Sequence, residues 1–233
     1  MTHSRIRLAL FGAAAAAMAA AAPAAHAGNI FTVGPLTVDP DQNRLPPTSG
    51  TFSSVDLSGI AAGTSAGTYL LPEGITLDLG GVTNTSEGVV WGSLAGEYAA
   101  PITDHSGTAY AGNFLSTGVG SITLSFAPSH TFAFLWGSVD DFNTVTFNTV
   151  DGPVSINGSE MPSHTGSQGY GGSFYTLVTS TDAFTSVTLG STTPSFEAAA
   201  FEVGNLAIAE PASVGLLGIG VAGLALLPRR RRA

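Results

Sequence analysis

A chain of 233 residues with 44% hydrophobic residues is long enough for one domain with a sizeable core, and the lack of cysteine excludes disulfides as a source of stability. Seven basic residues stand against sixteen acidic ones, and Arg5, Arg7, Arg229, Arg230, Arg231 and Arg232 sit at the two ends, so Arg44 is the one basic residue between them and lysine is absent. A surface this poor in cations cannot release counterions from phosphates, which excludes nucleic acid as a partner and favours solubility among anionic polymers.

Residues 1–27 read as a secretory signal peptide. Arg5 and Arg7 hold the amino end in the cytoplasm, the apolar run from Leu8 to Ala22 enters the translocon, and Ala25 and Ala27 fit the signal peptidase pocket, with cleavage before Gly28. Residues 28–209 are then the exported domain.

That domain opens with an extended strap from Asp39 to Ser49, which holds Pro40, Pro46 and Pro47. Asp39, Asp41 and Asn43 match the first three ligand positions of a Ca²⁺ loop, where oxygen donors on alternate residues converge on one hard cation. Arg44 stands where such a loop needs Gly, and Gly50 where it needs a bidentate Glu, so the expectation is an irregular calcium site rather than an EF-hand. Gly63-Thr-Ser-Ala-Gly67 has the G-x-S-x-G spacing of a hydrolase nucleophile, but Thr68 to Leu71 is strand-like and ends at Pro72 where a helix should follow. A Gly/Ser turn is the reading there.

Further along, turn signals recur about every 8 to 12 residues and no helical period is sustained, which predicts short strands. Candidates are Thr51 to Leu57, Ile75 to Leu79, Val89 to Ser93, Ile122 to Phe126, Phe132 to Trp136, Val145 to Phe147, Phe174 to Ser180, Phe184 to Leu189 and Phe196 to Ile208. In the fifth of these Phe132, Phe134 and Trp136 share one face while Ala133 and Leu135 share the other, which predicts a central strand covered on both sides. The expected fold class is all-β: a two-sheet, jelly-roll-like sandwich, with an N-terminal signal helix and a short C-terminal transmembrane helix.

Asp140, Asp141 and Asn143 fall between two strands and read as turn chemistry, with gathered oxygen ligands as the rival. His105, His130 and His164 have no metal-ligand spacing among them. Trp91, Trp136, Tyr98, Tyr110, Tyr170 and Tyr175 are aromatics able to stack on sugar rings; Trp136 reads as core, and Tyr170, set among Gly169, Gly171 and Gly172, is the candidate exposed ligand contact. Val90-Trp-Gly-Ser-Leu94 echoes Leu135-Trp-Gly-Ser-Val139, a short repeat that by itself does not establish duplication.

The last segment, 210–233, runs Glu210-Pro211-Ala212-Ser213, then a Gly-rich apolar stretch from Val214 to Leu227, Pro228 and the Arg cluster Arg229 to Arg232. The stretch is shorter than the roughly 20 residues of a comfortable span, yet the arginines can snorkel, and the positive-inside rule keeps them in the cytoplasm with 28–209 outside. This order resembles the PEP-CTERM sorting signal, although Ala209 replaces the usual first Pro. The resemblance implies recognition and cleavage near Glu210-Pro211 by a membrane-embedded exosortase, transient inner-membrane anchoring, and release to the cell surface or an extracellular polysaccharide matrix. The stretch from Phe132 to Phe147 also resembles a hairpin of exosortase-dependent surface proteins, a family that implies location but no catalytic residues. A non-enzymatic surface or matrix protein is the resulting expectation, with a carbohydrate-binding module as the alternative and no cofactor beyond the calcium named above.

Overall fold

The computed structural model describes residues 30–41, 51–103, 106–162 and 172–205. Within them lie twelve strands: β1 (Phe31–Val33), β2 (Leu36–Asp41), β3 (Thr51–Ser54), β4 (Thr68–Leu70), β5 (Thr76–Val82), β6 (Gly88–Val90), β7 (Phe114–Ser116), β8 (Gly120–Gly137), β9 (Asn143–Thr149), β10 (Gly152–Asn157), β11 (Phe174–Ser191) and β12 (Glu197–Asn205). Short 3-10 turns lie at Pro72–Gly74 and Gly158–Glu160. Every ladder between these strands is antiparallel, and together they make one hydrogen-bonded sheet. The all-β expectation is therefore met. Both expected terminal helices lie outside the described residues, within which no helix is long and apolar enough to cross a membrane.

Two strands of 18 residues organise the sheet. The sequence predicts two separate strands in each, whereas β8 and β11 run through without a break and change neighbours midway. Ile122 to Leu124 of β8 pair with the second half of β11, and Thr131 to Trp136 pair with its first half; the register shifts between Thr179 and Phe184. The first half of β8 also holds β5 as far as Ser125, while the second half holds β12 from Thr131 onward. Pro128 falls in the gap between those two ladders, where its missing N–H costs no cross-strand bond on that side. This is why a proline is tolerated inside a long strand.

The midpoint change folds the sheet onto itself. Phe147 of β9 lies in register with Val187, which lies in register with Leu124, and Phe132 is eight residues further along β8, about 25 Å in a flat sheet. The rings of Phe132 and Phe147 are instead 6.0 Å apart in an edge-on arrangement. Phe132 also lies against Phe126, Phe134 and Phe201, and an aromatic row continues through Trp136 to Phe196, whose rings stack at 4.9 Å. This is the main core. On the opposite face Ala133 and Leu135 join Val90, Ala100, Phe114, Tyr175, Leu177 and Ala199 in a second cluster. The strand predicted to be covered on both sides is so covered.

Corrections fall mainly on short strands. The predicted strap begins as regular structure, since Asp39, Pro40 and Asp41 belong to β2 and pair with Leu177, Thr176 and Tyr175 of β11; residues 42–50 lie outside the described set. β1, β2, β7 and β10 are not among the sequence-predicted strands, whereas β4 falls on the run Thr68 to Leu71 read as strand-like. β9 and β10 form a tight hairpin with Thr149 opposite Gly152, so Val150 and Asp151 occupy the turn. Gly152, at φ 120°, follows as the fourth residue of that turn, a position that favours glycine.

Candidate functional site

Between β6 and β7 the chain makes a long excursion, residues 91–113, of which 104 and 105 lie outside the described set. It folds over the outer face of β8, β11 and β12 because that face is apolar and otherwise bare: Tyr98 and Tyr110 pack on the second cluster, and Tyr98 meets Phe114 edge-on at 5.9 Å. Small ladders tie it internally, with Leu94 paired to Tyr98 and Ile102 to Ala109. Burial pushes the Tyr110 hydroxyl above its ordinary value, the Asp56 charge adds to the effect, and a hydrogen bond with the Ala200 backbone opposes it.

Under this cover lies a row of residues in register across four strands: Gly88 of β6, Ser116 of β7, Glu197 of β12 and Gly137 of β8. Glu197 is 1% exposed. Its Oε1 accepts a bond from the Ala99 amide of the excursion at 3.0 Å and another from the Ser195 hydroxyl, while its Oε2 has no partner. Burial pushes its pKa up to about 7; Ser195, the Ala99 amide and Ser138 oppose the shift, and the charge of Glu87 adds to it. Ser138 reaches this place in a left-handed conformation, φ 48°, at the end of β8.

Glu87 immediately precedes Gly88 and is fully buried, with neither carboxyl oxygen hydrogen-bonded. Gly88 has φ 103° and any Cβ there would run into the Thr64 carbonyl, so glycine is required where the chain turns Glu87 inward. Gly118, at φ 55°, leaves the space that the Glu87 side chain occupies: a Cβ would stand 2.7 Å from its Cγ. Burial raises the Glu87 pKa, the neighbouring Ser116 hydroxyl opposes this without reaching hydrogen-bonding geometry, and Glu97 adds to it. Glu97 itself accepts a bond from Asn84 at 2.7 Å.

Ordinarily a buried carboxylate is matched by a basic side chain or by several donors. Here the described residues contain neither Lys nor Arg. The pair Glu87 and Glu197 can therefore be neutralised by a proton or by a cation from solution. Sequence reasoning missed both residues, which lie 110 positions apart along the chain. Only the β6–β7–β12 register brings them together.

Trp91, at the start of the excursion, is 63% exposed, and its Nε1 donates to the Ala111 carbonyl at 3.2 Å. Its indole N–H is thus satisfied within the protein while much of the side chain remains accessible. Leu94 is also exposed. The echoing Trp136 is fully buried, so the two Trp-Gly-Ser segments occupy unlike environments.

Of the sequence-predicted site residues, Asp39 lies in β2, and the Asp41 backbone closes that strand. Asn43, Tyr170, the signal peptidase residues Ala25, Ala27 and Gly28, and the whole sorting segment from Glu210 to Arg232 lie outside the described residues. Asp140 and Asn143 make turn bonds: the Asp140 amide donates to Asn143 Oδ1 at 2.9 Å, and the Asn143 amide to the Asp140 carbonyl at 3.0 Å. The G-x-S-x-G segment is loop followed by β4, and Thr64 bridges Val89. Exposed His130 directs Nδ1 at the Ser180 carbonyl, 3.1 Å away. Among the described residues no group of three or more His, Asp or Glu side chains is gathered for a metal ion. No protein-family model, curated protein or solved structure matches the chain.

Proposed function

We propose that this chain is an exported, non-enzymatic component of the bacterial cell surface or extracellular matrix, with a signal peptide over 1–27, a β domain over 28–209 and a PEP-CTERM-like sorting signal over 210–233. Exosortase reads the last segment while it is transiently held in the inner membrane, cleaves near Glu210-Pro211, and the domain is then retained among extracellular polysaccharide. The observation that carries this reading is the order of the C-terminal segment, a short Glu-Pro motif, an apolar stretch and an Arg cluster, behind a β domain almost free of basic residues. We read the doubled-over sheet as a two-layer, jelly-roll-like sandwich, a form that suits a compact extracellular module. The test is the intact mass of the protein recovered from outer fractions of its native host with and without exosortase. A species from Gly28 to about Glu210, present only with exosortase, is expected. A species that keeps Arg229 to Arg232 in both strains would instead make the domain a permanently tethered module.

Carbohydrate binding is the second reading, favoured by Trp91. A largely exposed indole whose N–H is already satisfied offers its ring to a sugar face at little cost in ordering. Glycan arrays probed with residues 28–209 test it, and the variants Trp91→Ala and Tyr170→Ala divide the excursion from the Gly-rich loop as the contact. Absence of saturable binding on any glycan would remove this reading and leave the first intact.

A further inference from the structure

We propose that Glu87 and Glu197, with the Ser116 hydroxyl between their strands, form a binding site for one Ca²⁺ ion, a site separate from the Asp39, Asp41 and Asn43 set. Three observations converge on it. The β6–β7 and β7–β12 registers set Gly88 and Glu197 on either side of Ser116, and Glu87 precedes Gly88 at a turn of positive φ, near enough to Ser116 and Glu197 for its charge to act on Glu197. All three side chains are fully buried or nearly so, and both Glu87 carboxyl oxygens, Glu197 Oε2 and Ser116 Oγ have no hydrogen-bond partner. Such a set of orphaned oxygens is costly unless something fills it. Finally, no Lys or Arg among the described residues is there to balance the charge.

The chemistry of the donors selects the ion. They are all oxygen, with no imidazole or thiolate, which suits a hard cation, and two carboxylates match a divalent charge. Ca²⁺ tolerates irregular shells of roughly six to eight oxygens, so hydroxyls and water can complete what two carboxylates begin, whereas Mg²⁺ demands a stricter octahedron. A bound ion would tie β6, β7 and β12 to the Ala99 amide, through Glu197, and so fasten the excursion that carries Trp91.

The experiment is calorimetric titration of CaCl₂, with MgCl₂ as the control, into the chelator-treated mature protein, alongside the thermal midpoint at saturating Ca²⁺. One Ca²⁺ per chain and a raised midpoint are expected, with Kd weakened about tenfold or more in Glu87→Gln and Glu197→Gln, which keep shape but remove charge. Ser116→Ala, a minimal change that tests the site should a Gln variant fail to fold, is expected to weaken Kd several-fold. No heat and no midpoint shift in the unaltered protein would overturn the proposal and leave a proton on the pair as its neutraliser. Binding unchanged in all three variants would equally overturn it, because the ion would then lie elsewhere, as at Asp39.

Discussion

Glu197 makes an unusual prediction about acid. An unfolded chain ionises this group near its ordinary 4.5, whereas the folded protein retains the proton to about 7, so between those values the folded state binds more protons. Stability is then fully present below pH 4.5 and falls as pH rises toward 7, the reverse of the usual carboxylate behaviour, by an amount on the order of 3 kcal/mol. Glu87 is shifted in the same direction by burial and by Glu97, and adds to the slope. Chelator-treated protein should therefore show a higher thermal midpoint at pH 5 than at pH 8, and Glu197→Gln should flatten the profile. A midpoint that rises over this interval in the unaltered protein and is unaffected by the variant would contradict the burial of a carboxyl with no basic partner among the described residues. Exposed and buried aromatic residues differ in the same way. Trp91→Ala removes a mostly exposed side chain and should change stability by no more than about 0.5 kcal/mol. Phe132→Ala, which empties a site ringed by Phe126, Phe134, Phe147 and Phe201, should cost about 3–5 kcal/mol in a denaturant titration.

At the scale of elements the long strands explain both successes and misses of the sequence reading. Alternation at Ile122, Leu124 and Phe126 and again at Phe132, Phe134 and Trp136 is a period-2 signal that local residues carry by themselves, and both segments are strands. Pro128 suggests a break between them; the chain stays extended because neither β5 nor β12 asks for that N–H. β1 and β7, each three residues, are too short to show a period, and pairing with a neighbour creates them. β12 carries an irregularity of its own, a register shift between Ala199 and Glu202 with Ala200 at φ 49°. Ala200→Gly removes the steric cost of a left-handed alanine and should leave stability unchanged or raise it by up to about 1 kcal/mol, whereas Ala200→Val, β-branched at a positive φ, should lower it by more than that. Chemical denaturation of the two variants side by side checks the order.

For the whole molecule, continuity of the sheet predicts cooperativity. β8 and β11 pass through both halves, and Phe132 and Phe147 join the halves across the core, so neither half has a boundary at which to melt alone. Unfolding of residues 28–209 followed by far-UV circular dichroism and by tryptophan fluorescence should give coincident single transitions. Separate transitions would mean that the halves are independent units. At this scale the ends also act: a chain stripped of both terminal segments keeps Arg44 as its one basic residue, and should elute from an anion exchanger late and from a cation exchanger in the void.

The division between sequence and tertiary structure follows from how far each signal reaches. Charge distribution, the two terminal apolar segments, the lack of cysteine, strand periodicity and the core role of Trp136 are local or additive properties, and the residues state them without help. The doubled-over sheet, the exposure of one Trp-Gly-Ser segment against the burial of its echo, and the meeting of Glu87 with Glu197 depend on strand register between distant parts of the chain. A glutamate is mostly a surface residue, and nothing in the composition around positions 87 and 197 marks either as an exception. Only the pairing of β6, β7 and β12 takes the two carboxyls out of water together, because burial is a property of everything that covers a group and not of the group itself.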